Sequence, residues 1–421
     1  MVSLINTDLK IENKLKVAVA GNVDAGKSSL IGVLKTGKLD NGRGSARIHA
    51  MKYIHEKRSG RTSAINLTTL EFENGKKLIS MVDLAGHEKY LKTTVFGLTG
   101  YFVDFGIVIV DANRGITKMT KEHMGILLYL KIPFIVLLTK IDMTSDVQLT
   151  KTKNILKKLL TIKLFGTKPY FMKQQEHEAK DEISNIIESL NKTTKLIPIL
   201  QISNKTGHNI DNLKNILVKL KPRNHWDKDK IKGSIVHCDS HFDVKGIGLV
   251  VSGTVKGNPI KVNGKYWIGP VNDKFYAFKA RSLHNNIRQV VQEVNDGEIV
   301  CIAIRFTGKE SFDRSQIKKG LMVFSDTKFK QNVVRKFKAK IKILNHSTTL
   351  RNNYQPVIHC NCIRQTASLL LNCKSKVLRC GDTAICDFEF TVRKEYLEVG
   401  NTFFFLDGKT KGIGNIIQLY N

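Results

Sequence analysis

From residue 15 to residue 220, short β-type runs alternate with segments whose apolar positions recur at helical spacing. Strands are predicted over 15–20 (LKVAVA), 68–73 (TTLEFE), 78–83 (LISMVD), 106–111 (GIVIVD), 134–139 (FIVLLT) and 196–202 (LIPILQI). Most are unbroken apolar runs, which suit a parallel sheet covered on both faces. TTLEFENGKKLISMVD reads as a hairpin, with Asn74-Gly75 supplying positive φ at its turn. Helices are predicted after Gly26 and over 118–131, 147–165, 175–192 and 208–220. This alternation predicts an α/β domain with a doubly wound, mostly parallel sheet.

The pattern changes at KLKPRNHWDKDK, residues 219–230, a polar, Pro-containing stretch that reads as a linker. Beyond it helical periodicity nearly disappears. Short alternating strands and Gly turns follow, as in GIGLVVSGTVKGNPIKVNGKYWIGP. The remainder is long enough for two small all-β barrels, with a break near 325–336. The expected domains are 1–225, with an insertion at about 143–195, then 226–328 and 329–421. The insertion is Lys-rich. KTKNILKKLL would bury Ile and Leu on one face and present Lys on the other, either as a solvated face or as an RNA contact.

Charge narrows the partners. The 421 residues carry 68 Lys+Arg against 37 Asp+Glu, a net +31. Such a field favours polyanions such as RNA or the ribosome surface; a solvated lysine coat is the plainer account. The excess divides almost evenly between the two halves, so no basic arm is implied, and nothing points to DNA sequence specificity. All seven cysteines lie beyond residue 237 without a C-x-x-C pair, which argues for a reducing compartment. HCNC at 359–362 has ligands spaced too tightly for a structural zinc site and is expected to be buried strand. The opening MVSLINTDLKIENK is too polar for a signal peptide. The most apolar stretch, MGILLYLKIPFIVLLTK, is broken by Lys131 and Pro133 and reads as a helix end, a turn and a buried strand, not a membrane span. A cytoplasmic monomer is expected.

The candidate chemistry lies at strand ends. GNVDAGKSS, residues 21–29, satisfies G-x-x-x-x-G-K-[ST] between a predicted strand and a predicted helix, a context that favours phosphate binding over a bare glycine turn. Backbone N–H groups along Gly21, Asn22, Val23, Asp24, Ala25 and Gly26 would wrap the β-phosphate at the positive end of the helix. Lys27 would bridge the β- and γ-phosphates, Ser28 would ligate Mg²⁺, and Ser29 completes the loop. Kinases, ATPases and GTPases all remain open at this point. DLAGH, residues 83–87, ends the third strand; Asp83 can hold Mg²⁺ through water and the Gly86 N–H can sense the γ-phosphate. TKID, residues 139–142, opens with Thr139 at another strand end. There Asp142 can accept both N1–H and N2–H₂ of guanine, and Lys140 would lie over the ring. ISNK, residues 202–205, ends the last strand, where Ser203 and Asn204, followed by Lys205, can supply donors to guanine O6. Four motifs in this order, each at a strand terminus, point to GTP.

GNVDAGKSSL, DLAGHEKYLKTTVFGLTG, TKEH and TKID resemble the translational GTPases of the elongation factor Tu superfamily. LDNGRGSAR, SGRTSA, QISNKTG, YQPVIHC and IRQTA resemble, more narrowly, the group of GTP-binding proteins 1 and 2, over about residues 15–417. The resemblance implies an α/β P-loop GTPase domain followed by two all-β barrel domains, with GTP and GDP as substrate and product, and Mg²⁺. It implies that Thr62 is the switch threonine that ligates Mg²⁺ only when the γ-phosphate is present, that His87 positions the attacking water, that Lys27 and backbone N–H groups neutralise developing charge, and that Asp24 helps place a monovalent cation. A longer amino-terminal extension found in relatives is expected to be absent. Three positions depart from the superfamily pattern. Thr139 replaces an asparagine, which should lose the amide that ties the base loop to the phosphate loop. Ala85 replaces a proline. Arg61 precedes Thr62 where an apolar residue usually faces Val23, and it either points to solvent or approaches the γ-phosphate. The implied function is a GTP-hydrolysing switch that engages the ribosome, with aminoacyl-tRNA as candidate cargo. Two alternatives are a GTP-dependent RNA-binding adaptor in mRNA turnover or ribosome rescue, and a GTPase subunit of a metabolic complex, which would need no basic surface.

Overall fold

The structure is a computed structural model, and it describes residues 14–51, 65–162, 166–172, 179–192, 195–223, 231–308, 310–346, 348–371, 377–408 and 410–420. The chain divides into two compact units. One comprises Met1–Leu98 and Val103–His225, the other Thr99–Phe102 and Trp226–Asn421.

The first unit is built on a seven-stranded sheet of β1 (Lys14–Gly21), β2 (Asn66–Phe72), β3 (Lys77–Asp83), β4 (Phe105–Asp111), β5 (Phe134–Thr139), β6 (Lys168–Phe171) and β7 (Leu196–Gln201). Its order is β2-β3-β1-β4-β5-β7-β6, parallel except for the β2–β3 hairpin. In that hairpin Glu73, Asn74 and Gly75 all have positive φ, so the left-handed turn begins one residue earlier than the Asn-Gly pair suggests. Among the described residues six α-helices connect the strands: α1 (Lys27–Thr36), α2 (Leu91–Gly100), α3 (Lys118–Tyr129), α4 (Asp146–Leu160), α5 (Ala179–Lys192) and α6 (Ile210–Lys219). Alternation along β1 divides the burial. Leu15, Val17 and Val19 join one core with Leu30 and Ile31 of α1, Ile186 of α5 and Leu213 and Ile216 of α6, while Ala18 and Ala20 alternate with them and are equally buried. Lys131 (φ 55) ends the α3 connection, and Phe134 to Leu138 follow as a buried strand, as the broken apolar run implied.

Two elements are absent from the sequence reading. Helix α2 buries Thr94, Val95, Phe96 and Leu98, and that near-continuous burial removes the polar face that periodicity needs. Strand β6 lies at the sheet edge inside the insertion; Pro169 lacks an amide proton, which an edge can accommodate. The lysine-rich helix also differs in detail. Thr152, Leu156 and Leu160 form the buried face of α4, whereas Ile155 is 42 % exposed.

Because β1, β3, β4, β5 and β7 run parallel, their carboxyl ends reach one edge of the sheet. The order reverses at β1, between β3 and β4, where an open α/β sheet places its ligand crevice.

The second unit contains two six-strand β-barrels. The first closes Ser234–Val244, Gly248–Gly257, Lys265–Val271, Lys274–His284, Ile299–Phe306 and Met322–Phe324, with the third and fourth of these pairing to complete the ring. The second closes Lys336–Asn345, Val357–Cys360, Ile363–Leu370, Thr383–Phe390, Thr402–Asp407 and Thr410–Tyr420. A half-buried ion pair, Lys256 Nζ to Glu398 Oε2 at 2.6 Å, joins the barrels, and Tyr396 donates to the same carboxylate at 2.7 Å. His359, Cys360 and Cys362 are buried, and burial pushes the Cys360 thiol up to about 12. Among the described residues no helix is long and apolar enough to cross a membrane.

Candidate nucleotide-binding site

A cleft of about 640 Å³ opens at the carboxyl edge of the first unit's sheet. Val23, Asp24, Gly26, Lys27, Ser28 and Ser29 form one wall, Gly86 and His87 a second, and Lys140, Asp142, Asn204 and Lys205 a third. Six Lys and Arg side chains line it (Lys27, Arg43, Arg47, Lys89, Lys140, Lys205) against three aspartates (Asp24, Asp40, Asp142), a balance that favours a polyanion.

The phosphate end is shaped by backbone. Gly26 has φ 96 and starts α1 without a side-chain cap, so the first-turn amides of α1, which have no acceptor within the helix, belong to the cleft wall. Gly21 and Asn22 stand behind the wall, where the Asn22 carbonyl accepts from Lys27 Nζ at 2.8 Å. Lys27 is 7 % exposed; burial lowers its pKa and the nearby charges of Asp83 and Asp24 oppose that shift. The third strand's loop presses on this lysine. A Cβ on Gly86 would stand 2.6 Å from Lys27 Nζ and 2.7 Å from both Asn22 C and Gly21 O, so only glycine fits there. Thr94 of α2 steadies the same loop by donating to the Ala85 carbonyl at 3.1 Å. The hydroxyl of Ser28 donates to Asp83 Oδ2 at 2.7 Å. A hydroxyl beside a buried carboxylate is the oxygen donor set that a hard cation such as Mg²⁺ takes, so both residues fit the metal role. Thr62 and Arg61 lie outside the described residues.

His87 is exposed at the cleft mouth, and its Nδ1 accepts the Lys89 N–H at 3.1 Å. The proton of the neutral ring is therefore on Nε2. On α3, His123 of the TKEH segment is fully buried, and burial followed by the Lys27 charge pushes it down to about 3. Asp24 (φ 60) faces Arg114 across 3.9 Å.

The base end is held by side chains that bind one another. Asp142 lines the cleft, and its Oδ1 accepts from Ser203 Oγ at 2.7 Å. Ser203 Oγ also accepts the N–H groups of Lys205 and Thr206 at 3.2 and 3.1 Å. Ser203 is wholly buried, whereas Asn204 lines the cleft. Thr139 is likewise wholly buried, behind the wall. The expected loss of the tie to the phosphate loop is corrected here: Thr139 Oγ1 donates to the Ala25 carbonyl at 2.8 Å, so a shorter hydroxyl makes the bond assigned to the amide. Lys140 (φ 60) is pinned by Asp111, Nζ to Oδ2 at 2.8 Å. Asp111 also accepts from the Asn113 and Arg114 N–H groups; it ends a predicted strand and opens DANRG, and the motif spacing does not mark it.

These motifs match the family described as Elongation factor Tu GTP binding domain over residues 12–223. The chain belongs to the elongation factor Tu family of GTPases. Within this translational GTPase family it is 38 % identical over 431 residues to GTP-binding protein 1 of Xenopus laevis, covering 96 % of this chain. It is 33 % identical to GTP-binding protein 2 of Homo sapiens, covering 96 % of this chain and 69 % of the human one. The chain spans only 63 % of the Xenopus protein's length. In fold it resembles the crystal structure of translation elongation factor SelB from Methanococcus maripaludis in complex with the GTP analogue GppNHp, with a TM-score of 0.67 at 22 % identity over 96 % of this chain and 79 % of that one.

Proposed function

We propose that the chain is a GTP-hydrolysing switch of the translational type, which binds GTP and GDP in the cleft and engages the ribosome, with aminoacyl-tRNA as candidate cargo. The observation that carries this reading is the convergence of Lys27, Gly86, His87 and Asp142 on one cleft. The GTP analogue bound by the SelB relative, and that protein's name, support it. The net charge of +31 favours an RNA partner.

In this mechanism Asp142 accepts the guanine N1–H and N2–H₂, Asn204 faces O6, and Lys140 and Lys205 flank the base. The amides from Val23 to Ser29 hold the β-phosphate, and Lys27 spans the β- and γ-phosphates. Ser28 and Asp83, with Thr62, would hold Mg²⁺, which when bound adds positive charge against the phosphate oxygens. The Gly86 N–H reads the γ-phosphate. His87 carries its proton on Nε2, so it orients the attacking water by donating a hydrogen bond and does not abstract a proton from it. The residues 226–328 and 329–421 act as barrel domains that report the nucleotide state, in a cytoplasmic monomer.

The test is GTP turnover by the wild type and by His87→Ala, measured alone, with ribosomes, and with ribosomes plus aminoacyl-tRNA. Stimulation by ribosomes, lost in His87→Ala, supports the proposal. RNA or ribosome binding without preference for aminoacylated over deacylated tRNA would favour the adaptor reading.

A further inference from the structure

Residues 39–47 enclose one side of the nucleotide cleft, and none of the four guanine-nucleotide motifs accounts for them. Asp40 is 8 % exposed, and its carboxylate accepts the N–H groups of Gly42 at 2.7 Å, Gly44 at 3.0 Å and Ala46 at 3.0 Å. Three such bonds to one ionised acceptor fix the course of the segment, and Gly42 (φ 83) and Gly44 (φ 87) supply the left-handed backbone it needs. One end is fastened to the base loop. The Asp40 N–H donates to the Asn204 carbonyl at 2.9 Å, and the Lys205 stem lies 3.4 Å from the position a Cβ on Gly42 would take. The other end is fastened to α1. The turn Ala46–His49 packs so closely there that a Cβ on Gly32 would stand 1.9 Å from the Ala46 carbonyl oxygen.

Arg43 and Arg47 are the cations this framework presents; Arg43 is exposed, whereas Arg47 packs over Gly44, its Nε 2.9 Å from the position a Cβ there would take. Arg47 is half-buried and lines the cleft together with Ser28 and Ser29. Among the described residues no carboxylate pairs with it. Gly32 is one helical turn beyond Ser28, so the Arg47 turn lies against the face of α1 that begins at Ser28. Gly86 approaches Lys27 from a different wall, which His87 also lines.

We propose that Arg47 is a nucleotide-positioning residue that contacts the α-phosphate, the group GDP and GTP share next to the ribose, and that Asp40 couples this contact to recognition of the base. The inference rests on the cleft being a guanine-nucleotide site. A planar guanidinium with several donors suits a phosphate oxygen pair and, once engaged, slows nucleotide release.

The test measures the dissociation rate of a fluorescent GDP, and affinities for GDP and GTP, in wild type, Arg47→Ala, Arg47→Gln and Arg47→Lys. Loss of one charge-assisted contact is expected to weaken GDP and GTP alike by about tenfold in the Ala and Gln variants and to speed GDP release correspondingly, with Lys restoring part of the loss. The thermal midpoint without nucleotide should stay at the wild-type value; if Arg47→Ala unfolds, the Gln and Lys pair decides. Affinities equal to wild type in Ala and Gln overturn the proposal, as does a loss confined to GTP, which would assign Arg47 to the γ-phosphate. A wild-type chain that binds no guanine nucleotide would instead overturn the reading of the cleft itself.

Discussion

The two ends of the nucleotide cleft are built on different principles. At the phosphate end the cleft is lined by the first turn of α1, a buried lysine and a glycine that admits no side chain, while Gly21, Asn22 and Ala25 do not line it. At the base end the motif residues are held by side-chain bonds. Thr139 and Ser203 are wholly buried and act on Ala25 and Asp142, while Lys140 is held by Asp111. At both ends a motif mixes residues that line the cleft with residues that support them, through backbone at the phosphate end and through side-chain bonds at the base end.

That contrast orders the consequences of mutation. Lys27→Ala removes the buried cation at the phosphate end, and it should weaken GTP binding by about a thousandfold, ~4 kcal/mol; equilibrium titration with a fluorescent GTP analogue reads this. His87→Ala should lower ribosome-stimulated kcat by about a hundredfold while GDP affinity changes less than threefold, since one positioned donor is worth about that much in the transition state; single-turnover hydrolysis checks the first and titration the second. Asp142→Asn replaces an ionised double acceptor and should also cost about a hundredfold, but in guanine-nucleotide affinity.

The supports should give smaller effects. Ser203→Ala frees the Asp142 carboxylate and two amides and should cost about tenfold in GDP affinity. Thr139→Val keeps the volume, deletes the bond to Ala25 and should cost about fivefold for GDP and GTP equally. An effect of Thr139→Val as large as that of Asp142→Asn would erase the distinction between contact and support.

The same contrast explains what was legible in the sequence. The alternation over 15–220 made the parallel sheet legible, and the four motifs fall at its carboxyl edge, because parallel strands bring their carboxyl ends together whatever the loops contain. The role of Thr139 was not legible: a side chain's partner 114 residues away depends on how two loops meet, and neither loop's spacing carries that information. Helix α2 escaped because its residues are buried nearly all round, and β6 because a four-residue edge strand with a proline carries no period. Asp40 was within reach. DNGRG places glycines two and four residues after an aspartate, the spacing at which its carboxylate collects backbone amides.

The central claim is most directly tested by calorimetric titration of the purified chain with GTP, GDP and ATP in the presence of Mg²⁺. The account predicts one site that takes GTP and GDP and rejects ATP, with the guanine heat abolished by Asp142→Ala. Comparable binding of ATP, or no heat with any guanine nucleotide, would contradict it.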